Sequence, residues 1–162
     1  MPKPTVRALW DSHAPYILRS LRYLGVREAD LDDAVQETFI VAHRKLADLV
    51  TSTAPRPWLY AIALNVARHA RRTRPASSID DLAPALDPSD LDRRTQARLE
   101  LLSLLQRLDD DKREIVVLYF LEQFTLREIA DALECPLQTI YSRLGAATKQ
   151  LEAARKRTEK EV

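Results

Sequence analysis

The chain has 162 residues, 46% of them hydrophobic and 30% charged, with a formal net charge of +1, which bounds it to one globular domain or two small ones. Two glycines in the whole chain leave few of the tight hairpins that sheet proteins need, and the single cysteine excludes an intramolecular disulfide or a cysteine metal cage. No apolar run approaches a membrane span, and the opening MPKPTVRALWDSH lacks the long apolar core of a signal peptide, so a cytoplasmic protein without membrane insertion is expected.

The small net charge hides an uneven distribution. Residues 1–75 carry 12 Lys and Arg against 7 Asp and Glu, 76–92 carry five Asp and no base, and 93–162 carry 13 bases and 12 acids. Positive charge concentrates between Arg56 and Arg74, with five Arg and no acid, and between Leu137 and Lys160, with six bases and two acids. Two basic patches flanking an acidic stretch point to two contacts with a polyanion.

In chain order, apolar spacing predicts a first helix over about 6–24, with Leu9, Ile17, Leu21 and Leu24 inward, Pro15 as a potential kink and Gly25 as its stop. A second helix is expected over 30–46, capped by Asp30. Leu31, Val35, Phe39, Ala42 and Leu46 form its core stripe, and Asp32, Asp33, Gln36, Glu37, Thr38, His43, Arg44 and Lys45 lie on its other face. Such acids could ligate a divalent cation, but oxygen sites gather ligands from more than one element, so a partner-binding or solvated face fits better. After a polar loop at Thr51–Pro57, a third helix turns Trp58, Leu59, Ile62, Ala63 and Val66 inward, with Trp58 as a core anchor, and projects Asn65, Arg68, Arg71, Arg72 and Arg74 from its end. Aromatics beside arginines also suit single-stranded nucleic acid.

The Pro-, Ser- and Asp-rich stretch 76–92 reads as a flexible acidic tether between domains 1–75 and 93–162. Beyond it, Leu99, Leu102, Leu105 and Leu108 stripe one helix, and Asp109 to Asp111 end it and cap the next. Ile115, Val116, Leu118, Tyr119 and Leu121 make that next helix strongly apolar, and the tail from Glu152 is expected to fray.

Between Phe124 and Leu151 lie two amphipathic pieces, one marked by Leu126, Ile129, Ala130 and Leu133 and the other by Ile140, Leu144, Ala147 and Leu151. Thr125 and Glu128 have the spacing of a capping box, and Pro136 forces a corner at Glu134–Cys135–Pro136, with Cys135 as a small buried filler. This is a helix-turn-helix pattern. Its second helix would face base edges in a DNA major groove with Gln138, Thr139, Tyr141, Ser142 and Arg143, residues able to pair with adenine or guanine edges or to contact a thymine methyl. The expected fold is therefore all-α: two small helical domains on a flexible acidic linker, the second containing the helix-turn-helix.

With both halves read, the pattern resembles the extracytoplasmic-function (ECF) group of bacterial RNA polymerase sigma factors. Residues 30–39 resemble the segment that docks on the clamp helices of the large polymerase subunit, which implies a core-binding role for Asp33, Gln36 and Glu37. Residues 58–67 and the following arginines resemble the part that opens the minus-10 element, which implies DNA contact by Asn65, Arg68, Arg71 and Arg72. For Asn65 the resemblance implies a place in the loop that holds a flipped base, a task suited to an amide with both donor and acceptor. Leu126–Leu133, Pro136, Thr139 and Ser142–Leu144 resemble the helix-turn-helix that reads the minus-35 element. The implied domains are sigma domain 2 at 1–75 and sigma domain 4 at 93–162, with a linker passing near the RNA exit path.

The resemblance implies a non-catalytic specificity subunit without metal or cofactor. Its partners would be core polymerase, through the clamp helices and flap region, promoter DNA, and an anti-sigma factor. The chain departs from the family where Glu134, Gln138 and Gln123 replace common glycines, and where Tyr141, Gly145 and Ala146 replace bases, which should lower the salt dependence of minus-35 binding. Two other readings remain: a self-sufficient repressor or activator dimerising on a palindrome, and a metal-dependent phosphohydrolase using Asp30, Asp32, Asp33, Glu37 and His43.

Overall fold

The computed structural model describes residues 4–49, 54–83 and 92–161, among which there are seven α-helices and no strand. The chain divides into two compact units, 1–76 and 77–162.

In the first unit α1 (Val6–Tyr23), α2 (Leu31–Lys45) and α3 (Pro55–Thr73) pack on one another in every pairing. Thr5 caps α1, its hydroxyl accepting from the Ala8 amide at 3.1 Å. Pro15 does not split α1. It lies in an exposed stretch with Asp11, Ser12 and Tyr16, where water can take up the carbonyl that loses its partner. Gly25 ends the helix with φ 97°, and the Gly25 and Val26 amides turn back onto the Arg22 and Leu21 carbonyls, both at 3.1 Å.

A short 3-10 turn, Glu28–Asp30, leads into α2. Asp30 stands at the N-cap position but makes no cap bond, because Arg27 at 2.9 Å and Arg74 at 3.1 Å take its carboxylate. Those hydrogen bonds and charges, Arg27's foremost, hold the Asp30 carboxyl below the usual Asp range. Leu31, Val35, Phe39 and Ala42 are buried as their spacing predicts. Thr38, expected outside, is fully buried; its hydroxyl donates to the Ala34 carbonyl at 2.8 Å, so its polar group is satisfied within the helix.

The polar loop expected through Pro57 ends sooner, since Pro55 already opens α3, where a missing amide and fixed φ cost nothing; residues 51–53 lie outside the described residues. The fully buried aromatic of α3 is Tyr60, 1% exposed, whereas Trp58, the expected anchor, is half-buried. Leu59, Ile62, Ala63, Leu64 and Ala67 complete the inward face. Asn65 lies within this helix and not in a loop, because the burial of its neighbours outweighs the slight reluctance of Asn for helix.

The second unit contains α4 (Arg93–Gln106), α5 (Asp110–Val116), α6 (Leu126–Leu133) and α7 (Leu137–Lys160), with α7 packed against the other three. Asp92 caps α4 by accepting from the Thr95 amide, and Asp109 caps α5 by accepting from that of Lys112, each at 2.9 Å. Leu102, Leu105, Leu108, Ile115, Val116, Val117, Leu118, Phe124, Ile129, Ile140 and Ala147 form the core. Arg113 is buried with them, and its guanidinium donates to the Leu105 and Leu108 carbonyls at the end of α4, at 3.0 and 2.9 Å, and to Asp110 at 2.9 Å.

Three features differ from what the sequence predicts. The apolar helix expected around Ile115–Leu121 ends as α5 and widens into a π turn, Val117–Leu121, whose extra residue rotates Tyr119 and Phe120 into solvent. The charged tail does not fray by residue 152: α7 stays helical to Lys160, held by burial of Ala154 and by an Arg155–Glu159 ion pair one turn apart at 3.2 Å. Of the acidic stretch 76–92, residues 84–91 lie outside the described residues, but Ile79–Asp81 form a 3-10 turn against α4, with Leu82 buried and the Ser77 amide and hydroxyl both donating to Asp81.

Among the described residues two that are not glycine are left-handed, Gln123 with φ 58° and Glu134 with φ 53°. A side chain there crowds the following carbonyl, and glycine does not. Glu134→Gly is therefore expected to raise the stability of the second unit by about 1 kcal/mol, read as a higher denaturant midpoint at unchanged slope.

Candidate functional site

Thr125 and Glu128 close a reciprocal capping box at the start of α6: the Glu128 amide donates to the Thr125 hydroxyl at 3.1 Å, and the Thr125 amide to the Glu128 carboxylate at 3.0 Å. At the far end the left-handed Glu134 turns the chain, and the Cys135 amide reaches back to the Ala130 carbonyl at 3.0 Å. Pro136 then stands at the N-cap of α7. The α6–corner–α7 hairpin thus has the local geometry of a helix-turn-helix.

On α7, Ile140 and Ala147 face the core, which leaves Gln138, Tyr141 and Ser142 exposed, Tyr141 at 55%. Thr139 and Arg143 are half-buried on the flanks. The Arg143 guanidinium lies 3.8 Å from the Asp111 carboxylate and 3.7 Å from the Cys135 sulfur, so this arginine is aimed at the start of α5 and the corner. Cys135 is half-exposed, a partner for Arg143 as much as a filler. Gly145 and Ala146 are exposed, and a Cβ on Gly145 would meet nothing within 4 Å.

In the first unit Asp33, Gln36 and Glu37 are exposed on one face of α2. Ile40, absent from the residues singled out by spacing, joins them at 45% exposure, three and four residues on from Glu37 and Gln36. The chain does carry a signal for it: Ile40 falls outside the core stripe, and an apolar side chain among exposed carboxylates and amides marks a contact surface.

The arginines of α3 do not act alike. Arg72 is exposed, and Arg68 points its guanidinium at the Asn65 side-chain oxygen, 3.4 Å away. Arg71 is half-buried and donates to the Leu24 carbonyl at the end of α1, and Arg74 pairs with Asp30. Of the four residues expected at a minus-10 contact, Asn65 and Arg72 are exposed, Arg68 is half-buried beside Asn65, and Arg71 ties α3 to α1. Asn65 opens on a groove of about 200 Å³ between α2 and α3, lined also by apolar Val41, Ile62 and Val66 and polar Glu37, Lys45 and His69. Among the described residues no three His, Cys, Asp or Glu side chains converge as a metal site, and no helix is long and apolar enough to cross a membrane.

The chain matches two family models in order: sigma-70 region 2 over residues 9–76 and sigma-70 region 4 over residues 98–151. It is 36% identical over 155 residues to the RNA polymerase sigma factor NccH of Alcaligenes xylosoxydans xylosoxydans, covering 90% of this chain and 83% of that one. It is 30% identical over 142 residues to the ECF RNA polymerase sigma-E factor of Escherichia coli strain K12, covering 78% and 74%. Among solved structures, CnrH in complex with the cytosolic domain of CnrY superposes with a TM-score of 0.73 at 27% identity, over 93% of this chain and 87% of that one. RpoE in complex with the anti-sigma factor NepR, from Bartonella quintana, has the same fold at a TM-score of 0.75 and 21% identity, over 93% and 96%.

Proposed function

The chain belongs to the ECF group of RNA polymerase sigma factors, non-catalytic specificity subunits that direct transcription to promoters, and from that premise we propose how its two units divide the task. The first unit docks on core polymerase through the α2 face bearing Asp33, Gln36, Glu37 and Ile40, and engages melted minus-10 DNA through Asn65, Arg68 and Arg72, with Arg71 steadying α3 from behind. The second unit reads duplex minus-35 DNA with the exposed start of α7: Gln138, Tyr141 and Ser142 at its centre, Thr139 and Arg143 at its edges. The observation that carries this reading is the helix-turn-helix with Gln138, Tyr141 and Ser142 turned to solvent, on the same chain as an exposed polar and apolar stripe on α2.

Tyr141 replaces a base with a flat ring and one hydroxyl, which favours contact with base edges or a thymine methyl over attraction to phosphate. Holding two DNA-binding units on one chain raises the effective concentration of the second once the first is engaged. We place the protein in the cytoplasm with polymerase and DNA. An anti-sigma factor is a proposed further partner, and the solved CnrH structure likewise holds a bound protein segment.

The test is association with core RNA polymerase. The purified chain is expected to co-elute with core enzyme and to support initiation from a promoter it selects, and the double change Gln36→Ala, Glu37→Ala should weaken that association at least about tenfold, or 1.4 kcal/mol. Both positions are exposed, so the fold should survive. Sequence-specific DNA binding with no polymerase association would overturn the reading in favour of an autonomous regulator.

A further inference from the structure

The basic run on α7 has no role so far beyond Arg143, and the packing of the helix divides it. With Ile140, Ala147 and Ala154 buried, a rotation of about 100° per residue puts Gln138, Ser142, Gly145, Lys149 and Lys156 on the opposite side of the helix, all exposed. The start of that stripe is the surface proposed above to face base edges. The next positions along it, Gly145 and its neighbour Ala146, offer nothing longer than a methyl group. The first side chain beyond Ser142 that can reach outward is therefore Lys149, about 10 Å further along the axis. The sugar-phosphate rims border the major groove, so the next long side chain on the face that reads bases at Gln138–Ser142 is the one placed to meet a phosphate.

Lys149 is also uncommitted. Among the described residues it makes no hydrogen bond or ion pair, unlike Lys112, which bonds Gln150 and Asp109, or Arg155, which pairs with Glu159. Glu152, the next acid along the helix, makes no ion pair with it either.

We infer that Lys149 is a phosphate contact of the DNA-bound protein, set one helical turn behind the small pair Gly145–Ala146 and supplying backbone attraction that this pair cannot. The inference rests on the proposed duplex reading by α7 and adds to it a residue whose work is affinity and register, not sequence choice. Lys156 continues the stripe about 10 Å further on, beyond the rim, and serves as the internal control.

The experiment uses the full chain assembled with core polymerase on two labelled promoter fragments: one selected from a random-sequence pool by the wild-type holoenzyme, and the same fragment with its upstream element scrambled. Affinity is measured across a salt series. Lys149→Gln keeps helix propensity and length while removing the charge. It is expected to weaken binding to both fragments by a similar factor, about three- to tenfold, and to reduce the slope of log K against log salt by about 0.9. Lys156→Gln is expected to change neither.

An unchanged salt slope in Lys149→Gln, or a loss confined to the selected fragment, overturns the phosphate assignment alone. If the wild type itself cannot tell the two fragments apart, the duplex reading fails and the assignment falls with it.

Discussion

Arg113→Met is expected to destabilise the second unit by about 3 kcal/mol, well beyond the roughly 0.5 kcal/mol of an ordinary surface substitution. Arg113 is 6% exposed and donates to two main-chain carbonyls, Leu105 and Leu108, and to the Asp110 carboxylate. The last carbonyls of a helix lack the usual intrahelical donors; at the end of α4 the Leu105 carbonyl takes the Leu108 amide at 3.1 Å, and the guanidinium adds a second, charged donor to it and one to the Leu108 carbonyl, both buried. Hydrogen bonds from a charged donor contribute about 1.5–3 kcal/mol each, and a buried acceptor left bare costs about 1–3 kcal/mol. Methionine matches the stem in volume and donates nothing. Arg113→Lys keeps the charge but not the planar fork, so it should lose about half as much. Denaturant unfolding followed by circular dichroism, with amide exchange in α4 and α5, gives the measurement. A change under about 1 kcal/mol would mean that desolvation of the guanidinium already cancels its bonds in the native state.

The second large effect is functional and has the opposite sign in stability. Asn65→Ala is expected to reduce initiation at least about tenfold, or 1.4 kcal/mol, while core association and duplex binding stay as they are. Asn65 is exposed at mid-helix, where alanine is the better helix former by about 0.6 kcal/mol, so the variant should be slightly more stable than the wild type. Loss of activity could not then be ascribed to unfolding. Asn65 lies on the wall of the α2–α3 groove, which apolar Val41, Ile62 and Val66 also line, and within reach of Arg68. A nucleobase drawn out of the stack needs an apolar surface to lie against and a donor–acceptor pair for its edge, and Asn65 offers the pair. Asn65→Asp, which keeps an acceptor but adds negative charge beside DNA, should do worse than alanine. Promoter opening followed by permanganate reactivity separates the outcomes. Full opening with Asn65→Ala would remove this residue from the minus-10 contact.

What was legible in the sequence was mostly local. The capping box at Thr125 and Glu128, the corner at Glu134–Pro136, the stop at Gly25 and the cap at Asp109 depend on a few adjacent residues, and each residue type has a backbone reason to be there. Apolar spacing likewise located the inward faces of α2 and α7. What was not legible depends on partners distant in the chain. Asp30 looks like a helix cap until Arg74, 44 residues later, comes back to its carboxylate, and Arg71 looks like a free base until the end of α1 arrives beneath it. Tyr60 and Trp58 cannot be ranked as core anchors by spacing alone, since two residues separate the sides of a helix without saying which side is covered. The tail after Glu152 is mostly charged, and the place that packing leaves for Ala154, with the Arg155–Glu159 pair, keeps it helical.

The aromatic inventory gives the protein a built-in optical asymmetry. Its two tryptophans, Trp10 and Trp58, both fall in the first unit; Trp10 is 40% exposed and stands edge-on to Phe39 at 4.8 Å. Ultraviolet emission above the tyrosine band therefore originates in one half of the molecule. A ligand that covers or reshapes that half changes colour or intensity, whereas events confined to the helix-turn-helix are dark in this channel until a fluorophore is placed there. Gly145, with open space around it, is a natural position for such a label.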